Sequence, residues 1–267
     1  MFFIRQLWRF AYQQALSCLF PVFIFGTLAL SKVISIPYLP RYDFILLACI
    51  LLQFLLLLTG YETKQELKVI CLFHIIGLGL EIFKVHAGSW SYPEEAYAKC
   101  LGVPLYSGFM YASVASYMCQ AWKRMQLFLI NYPNLLISLI VGICIYANFF
   151  THHYVYDFRW VLVFLLFVVY FTCTVSFQIG KYRYRMPLIV SFFLIGFFIW
   201  IAENIATFFG AWQYPNQSMQ WEVVHMGKIS SWFLLVIVSF ILVAYVKERP
   251  IDKRESTYGG KHTITRA

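Results

Sequence analysis

Apolar residues in this chain run in unbroken stretches of about 20 positions, without the stripe-and-gap pattern of a helix half exposed to water. A bilayer core of about 30 Å takes roughly 20 helical residues to cross. Eight stretches are long enough: about 15–35, 41–60, 68–86, 101–122, 135–154, 158–177, 186–209 and 229–246. Continuous runs do not alternate between two faces, which excludes a membrane β-barrel. The pattern predicts an all-α polytopic membrane protein with eight transmembrane helices.

Composition fits that environment, with 61% of residues apolar and 12% charged. Arg5 and Arg9 precede the first stretch, but no small-residue cleavage site closes a short apolar core, so the segment reads as an uncleaved first helix. The net charge of +9 is unevenly placed. With the N-terminus inside, 15 of the 21 basic residues fall on inner segments, which puts both termini in the cytoplasm. Excess charge therefore reports orientation, and no nucleic-acid partner is expected. The basic, aromatic run Lys181 to Arg185 reads as an anchor for membrane lipid headgroups. The seven cysteines stand singly, with no disulfide framework and no CxxC pair.

One pattern breaks the apolar background twice. Glu-x6-Gly-x-Trp-x-Tyr-Pro occurs as Glu81, Gly88, Trp90, Tyr92, Pro93 and again as Glu203, Gly210, Trp212, Tyr214, Pro215, each pair offset by 122. Trp and Pro number only 8 and 9 in 267 residues, so this register marks a duplication. Pairing the stretches at the same offset gives two four-helix repeats, residues 1–125 and 126–250, followed by a flexible cytoplasmic tail over 251–267. Four helices return the chain to the side it started from, so the repeats are parallel and both motif loops face outward.

Each repeat carries a carboxylate inside an apolar helix, and an ionisable group there is costly enough to mark a functional position. At 100° per residue, His74, Gly77, Glu81 and Lys84 share a sector of about 80°, as do Gly196, Trp200, Glu203, Thr207 and Gly210. The small residues beside the polar ones let another helix approach, so these stripes should face protein. Lys84 stands three residues from Glu81, at the spacing of an internal salt bridge. Glu203 has no basic residue within a turn and must find partners across the bundle, line water or hold a proton. Asn204 is a neighbouring hydrogen-bonding group. Gly88 and Gly210 suit a helix C-terminal turn, after which Trp90 and Tyr92, and by analogy Trp212 and Tyr214, can fold back over the carboxylates or anchor the loops at the interface.

Other chemistries find less support. His86, His152, His153 and His225 map to the outer side with Asp157, Glu94, Glu95 and Glu222, but their spacing matches no metal motif, and no metal or other cofactor is expected. No GxSxG, GxxxxGK[ST] or GxGxxG is present.

His74, Gly77, Glu81, Phe83, Lys84, the run Gly88 to Glu94, the run Pro104 to Tyr111, the run Trp200 to Asn204, and Lys228 with Ser231 and Trp232 together resemble the YoaT-like family of bacterial integral membrane proteins, a family of unknown function. The resemblance reaches to about residue 250 and implies a bacterial cytoplasmic membrane. At pattern level, an intramembrane Glu followed by Gly-x-Trp-x-Tyr and by Pro104-Leu105 is also similar to membrane carotenoid cyclases and hydratases. That likeness implies an apolar lipid or isoprenoid substrate and a glutamate that protonates a double bond, with aromatic faces steadying the carbocation. Glu203, without a lysine neighbour, is the better acid on this reading, and Glu81 the second. Two further readings stay open, a small carrier or channel that binds cations or protons at the paired glutamates, and an accessory membrane protein.

Overall fold

The computed structural model describes residues 2–248, so the tail assigned to 251–267 lies outside the described residues. The first expected span, 15–35, breaks in two. Helix α1 (Phe2–Ser17) and helix α2 (Leu19–Val33) meet at 66°. Pro21 lacks an N–H and its ring crowds the carbonyl four residues earlier, at Ser17, so one straight helix cannot run through. Helix α3 (Arg41–Leu58) follows Pro40, and α4 (Lys64–His86) opens on a capping box. There the Thr63 hydroxyl accepts from the Glu66 N–H at 3.2 Å while the Glu66 carboxylate accepts from the Thr63 N–H at 2.8 Å.

The stretch expected to cross at 101–122 begins with a two-stranded ribbon, β1 (Lys99–Cys100) against β2 (Val103–Pro104). Only then does α5 (Tyr106–Arg124) start. This helix is enclosed by α1, α2, α3, α4 and α9, which is why it buries Ser107, Ser113, Ser116 and Gln120 as well as apolar residues.

A second departure lies at the other end of the molecule. Strand β3 (Phe128–Ile130) precedes α6 (Leu135–Thr151) and α7 (Arg159–Tyr170), and α7 stops well short of the expected 177. The chain turns instead into β4 (Thr174–Ile179) and β5 (Tyr182–Pro187), and β3-β4-β5 form an antiparallel sheet. Thr174 pairs with Pro187 and Ile179 with Tyr182 around a turn at Gly180, whose φ is +62°. Tyr182 and Tyr184 alternate with Arg183 and Arg185, a period of two that suits a strand. The all-α expectation is thus corrected to a mostly helical chain with a small sheet. The Lys181 to Arg185 run is part of that sheet, with Tyr184 stacked on Phe177 at 5.8 Å.

Helices α8 (Leu188–Phe208) and α9 (Lys228–Glu248) complete the described chain. Among the described residues, four helices, α3, α4, α8 and α9, are long and apolar enough to cross a membrane, and the bent α1–α2 pair makes a fifth if taken as one span. α6 and α7 are apolar but shorter. Shifting α4 and α5 by 122 residues lands on α8 and α9 to within two residues at every described end, since 64–86 maps to 186–208 and 106–124 to 228–246. In each pair the helices pack closely, α4 on α5 and α8 on α9. One apolar core gathers α5 to α9 around Trp122, Phe192 and Phe240, and a second gathers α2, α3 and α5 around Phe20, Tyr42 and Tyr106. The space between the two cores is where the motif glutamates meet.

Candidate functional site

Both copies of the motif leave their helices by the same route. The Ala87 N–H donates to the Phe83 carbonyl, Gly88 to Val85 and Ser89 to Lys84, and at the same offset Phe209 donates to Ile205, Gly210 to Thr207 and Ala211 to Ala206. Gly88 and Gly210 take φ of +69° and +66°, the left-handed turn that a side chain would strain. The two loops then pair with each other. Ser91 and Gln213, equivalent positions, exchange N–H to carbonyl hydrogen bonds of 2.9 Å in each direction. An antiparallel bridge between equivalent residues places a local two-fold axis through that pair. Trp90 of one loop lies edge-on to Tyr214 of the other at 5.9 Å.

The turns bring the aromatic residues back over the carboxylates. Glu81 Oε2 accepts from Trp90 Nε1 and from Tyr92 Oη, both at 2.7 Å, and Oε1 accepts from Tyr111 Oη on α5, also at 2.7 Å. Glu203 Oε1 accepts from Tyr214 Oη at 2.5 Å, and Oε2 from Trp232 Nε1 on α9 at 2.6 Å. Both glutamates are buried. Burial and then the adjacent carboxylates hold the Tyr92 and Tyr214 hydroxyls well above the ordinary phenol range, so both remain protonated donors. An ionised carboxylate is an acceptor only, and each is met here by neutral donors alone.

Lysines are placed differently from the spacing expectation. Lys84 forms no ion pair with Glu81; its Nζ lies 2.9 Å from His153 Nε2 and 3.4 Å from His152 Nε2 at the end of α6. Glu81 is turned toward its own loop and α5, and three residues of helical rotation send Lys84 to the neighbouring helix. The cation nearest Glu203 is Lys228, the first residue of α9, whose Nζ sits 4.6 Å from the Tyr214 ring centre and 5.2 Å from that of Trp90. Glu203 is therefore the carboxylate with a cation beside it, the reverse of the order read along the helices.

A cavity of about 860 Å³ opens from this cluster between the two cores. Glu81, Lys84, Trp90, Tyr92, Trp212 and Tyr214 line its polar end, together with Glu203. The remaining lining follows α5 from Met110 to Met125, about 22 Å at 1.5 Å per residue, and is dominated by apolar side chains of α1, α5, α8 and α9. Three of the residues assigned from sequence do not reach it. His74 packs its ring on Phe109 at 4.6 Å. Trp200 donates to the Val224 carbonyl at 3.0 Å, and Asn204 accepts from the Val224 N–H at 2.9 Å, so both pin the loop that follows the second motif. Tyr111, Arg159, Lys228 and Trp232 join the site without having been singled out for it. Tyr111 and Trp232 sit in apolar helices where an aromatic residue carries no signal of its own.

The outer acidic residues have other duties. Arg41 donates to Glu94 at 2.6 Å and to the Phe209 carbonyl at 2.5 Å, tying α3 to the end of α8. Asp157 pairs with Arg159 at 3.2 Å. Among the described residues, no three His, Cys, Asp or Glu side chains gather in a group able to hold a metal ion.

The fold and site define a mostly helical protein, with four or five helices able to cross a membrane, that encloses two aromatic-wrapped carboxylates at one end of an apolar cavity. Residues 6–240 match the family described as protein of unknown function DUF817, and the chain belongs to that family. It is 58% identical over 245 residues, 92% of this chain and 93% of the relative, to the uncharacterized protein YoaT of Bacillus subtilis (strain 168). Among solved structures it resembles a cross-linked trimer of MvINS, with a TM-score of 0.50 and 12% identity over 70% of this chain and 96% of that one. At that identity the likeness concerns the fold alone.

Proposed function

We propose that the protein is a bacterial cytoplasmic-membrane enzyme that takes an apolar, chain-like lipid or isoprenoid into the cavity and performs acid–base chemistry on it at Glu203 and Glu81. The observation that carries this reading is a long apolar cavity that ends at two buried carboxylates. Its volume of about 860 Å³ is in the range of small-molecule sites, roughly 300–1,000 Å³. Its length approaches the hydrocarbon thickness of a bilayer, about 30 Å. Tyr and Trp donors on both carboxylates suit the ionised form, so the first step on this reading is proton abstraction next to the chain's polar end. Glu203 has two donors against three on Glu81, which leaves it more free to take a proton.

The same reading has eight crossings arranged as two parallel four-helix halves, motif loops outward and both termini inside. It is supported by the common register of α4 with α8 and of α5 with α9, and by the bridge between Ser91 and Gln213. A cation carrier draws support from the paired glutamates, but a path lined by Phe73, Phe192, Leu235 and Phe240 is a poor route for a hydrated ion.

Extraction of the purified protein with organic solvent, followed by mass spectrometry, tests the proposal. A stoichiometric lipid or isoprenoid is expected in the wild type. It should be lost when Ala202, which lines the cavity, becomes Trp. In cells carrying Glu203→Gln as the sole copy, a precursor should accumulate. An empty wild-type protein together with an unchanged lipid profile would end this reading.

A further inference from the structure

Three cations line the polar end of the cavity, and among the described residues only Arg159 holds a carboxylate in a contact ion pair. Lys84 is buried, at 6% exposure, and among the described residues its ammonium touches only imidazole nitrogens. The Lys228 ammonium rests on the faces of Trp90 and Tyr214 and has no hydrogen bond or ion pair among the described residues. Arg159, at the start of α7, reaches Asp157 at 3.2 Å and Ser230 Oγ at 3.3 Å, which leaves part of its guanidinium uncommitted. All three line the same cavity and lie close enough to repel one another. Glu81 and Glu203 favour the Lys228 ammonium through space, but their oxygens accept from phenol and indole donors and neither forms a contact ion pair with it.

Lys84 and Lys228 carry charge at an apolar cavity without a contact ion pair, which is costly, and an anion in contact with them lowers that cost. Two ammonium groups and a guanidinium lining the same cavity supply several N–H donors, which suits a tetrahedral oxyanion better than a single carboxylate. The apolar cavity begins at the same place, so the anion and a hydrocarbon chain can belong to one molecule.

We propose that Lys84, Lys228 and Arg159 bind the phosphate-type headgroup of the amphiphile whose chain fills the cavity. This rests on the lipid reading above and narrows it to phosphate-bearing lipids. The chemistry is shared with free phosphate, and the experiment separates the two sources.

The test uses the full chain in mild detergent, titrated in native mass spectrometry with phosphatidic acid and with a diacylglycerol of the same chains. The wild type should prefer phosphatidic acid by about tenfold or more, the scale of one charge-assisted contact. Lys228→Gln and Lys84→Gln should each erase most of that preference while still binding diacylglycerol, and Lys228→Arg should keep it. Diacylglycerol binding also shows that these variants have folded. Ala202→Trp should abolish binding of both lipids. Equal binding of the two lipids by the wild type, with both blocked by Ala202→Trp, would overturn the headgroup assignment and leave the cavity reading intact. Binding of both that ignores Ala202→Trp would overturn the two together. In a parallel arm, inorganic phosphate that raises the melting temperature of the wild type but not of Lys228→Gln, without any lipid preference, would keep the anion site and make free phosphate its occupant.

Discussion

The Glu81 and Glu203 sites share a backbone and differ in their wrapping. Their helix ends, left-handed glycines and returning tyrosines coincide at the 122-residue offset. On the packing helix the donor has moved by one position. The first site presents Met110 and Tyr111, and the second presents Trp232 and Phe233 at the equivalent places. A phenol at one position and an indole at the preceding one both reach a carboxylate, because the longer indole makes up for a different starting angle. Glu81 gains a third donor from Trp90, while Glu203 has a lysine nearby instead. A duplicated scaffold can therefore hold one carboxylate tightly and leave its twin more available.

That comparison is most directly broken by removing the carboxylates themselves. Glu81→Leu orphans three donors, one buried and two half-buried, and should cost about 3 kcal/mol, against about 2 kcal/mol for the two donors left by Glu203→Leu. Thermal unfolding in detergent would check the order, and a larger loss at Glu203 would contradict it. Among single donors, Trp232→Phe should cost more than Tyr111→Phe, by about 1 kcal/mol on a base of roughly 1.5, since it leaves Glu203 with one donor and Glu81 with two. The glycines test whether the scaffolds are truly alike. Gly88→Ala and Gly210→Ala should each lose about 1–2 kcal/mol from the left-handed backbone, and the two values should agree. A large excess at Gly210 would show that Lys32, which its new methyl would meet, cannot move aside.

The smallest effect concerns a buried carboxylate outside the pair. Glu62, in the turn before α4, is 1% exposed and accepts from Gln53 at 2.5 Å and from Ser116. Burial pushes its carboxyl above the ordinary range. A carboxyl raised in the folded state withdraws stability as pH rises through its folded value and returns it on acidification. Glu62→Gln should thus stabilise the protein slightly near neutral pH, and the difference from wild type should shrink in acid. Gln53 Oε1 has no hydrogen-bond partner among the described residues and can turn to accept from the new amide. A variant less stable than wild type at neutral pH would show that Glu62 is held ionised.

Much of this site was legible along the chain because the motif is local. Glu81 to Tyr92 is a span of 11 residues, so a helix end and a left-handed glycine are enough to bring the phenol back to the carboxylate. Helix positions were legible wherever apolar runs were uninterrupted, as in α3, α4, α8 and α9. They misled where hydropathy hides a local instruction, in the break enforced by Pro21 and in the alternation that makes β5 a strand. The spacing of Lys84 from Glu81 misled for a different reason, since helical neighbours share a face only approximately and the rotation carries Lys84 to the histidines that follow α6.

The chain alone was thus sufficient for its family and for the two motif carboxylates within apolar helices, consequences of a local motif and of the cost of charge in an apolar setting, while whether the Trp and Tyr of each loop fold back or anchor at the interface was decided by the tertiary structure. Tyr111, Trp232 and Lys228 joined the site only through packing, because each lies far along the chain from the carboxylate it approaches and its role depends on helix pairs that close long loops, and Arg159 reached the same cavity by the packing of α7. The cavity is of the same kind: it is the space left where two cores fail to merge, and no run of residues encodes a gap.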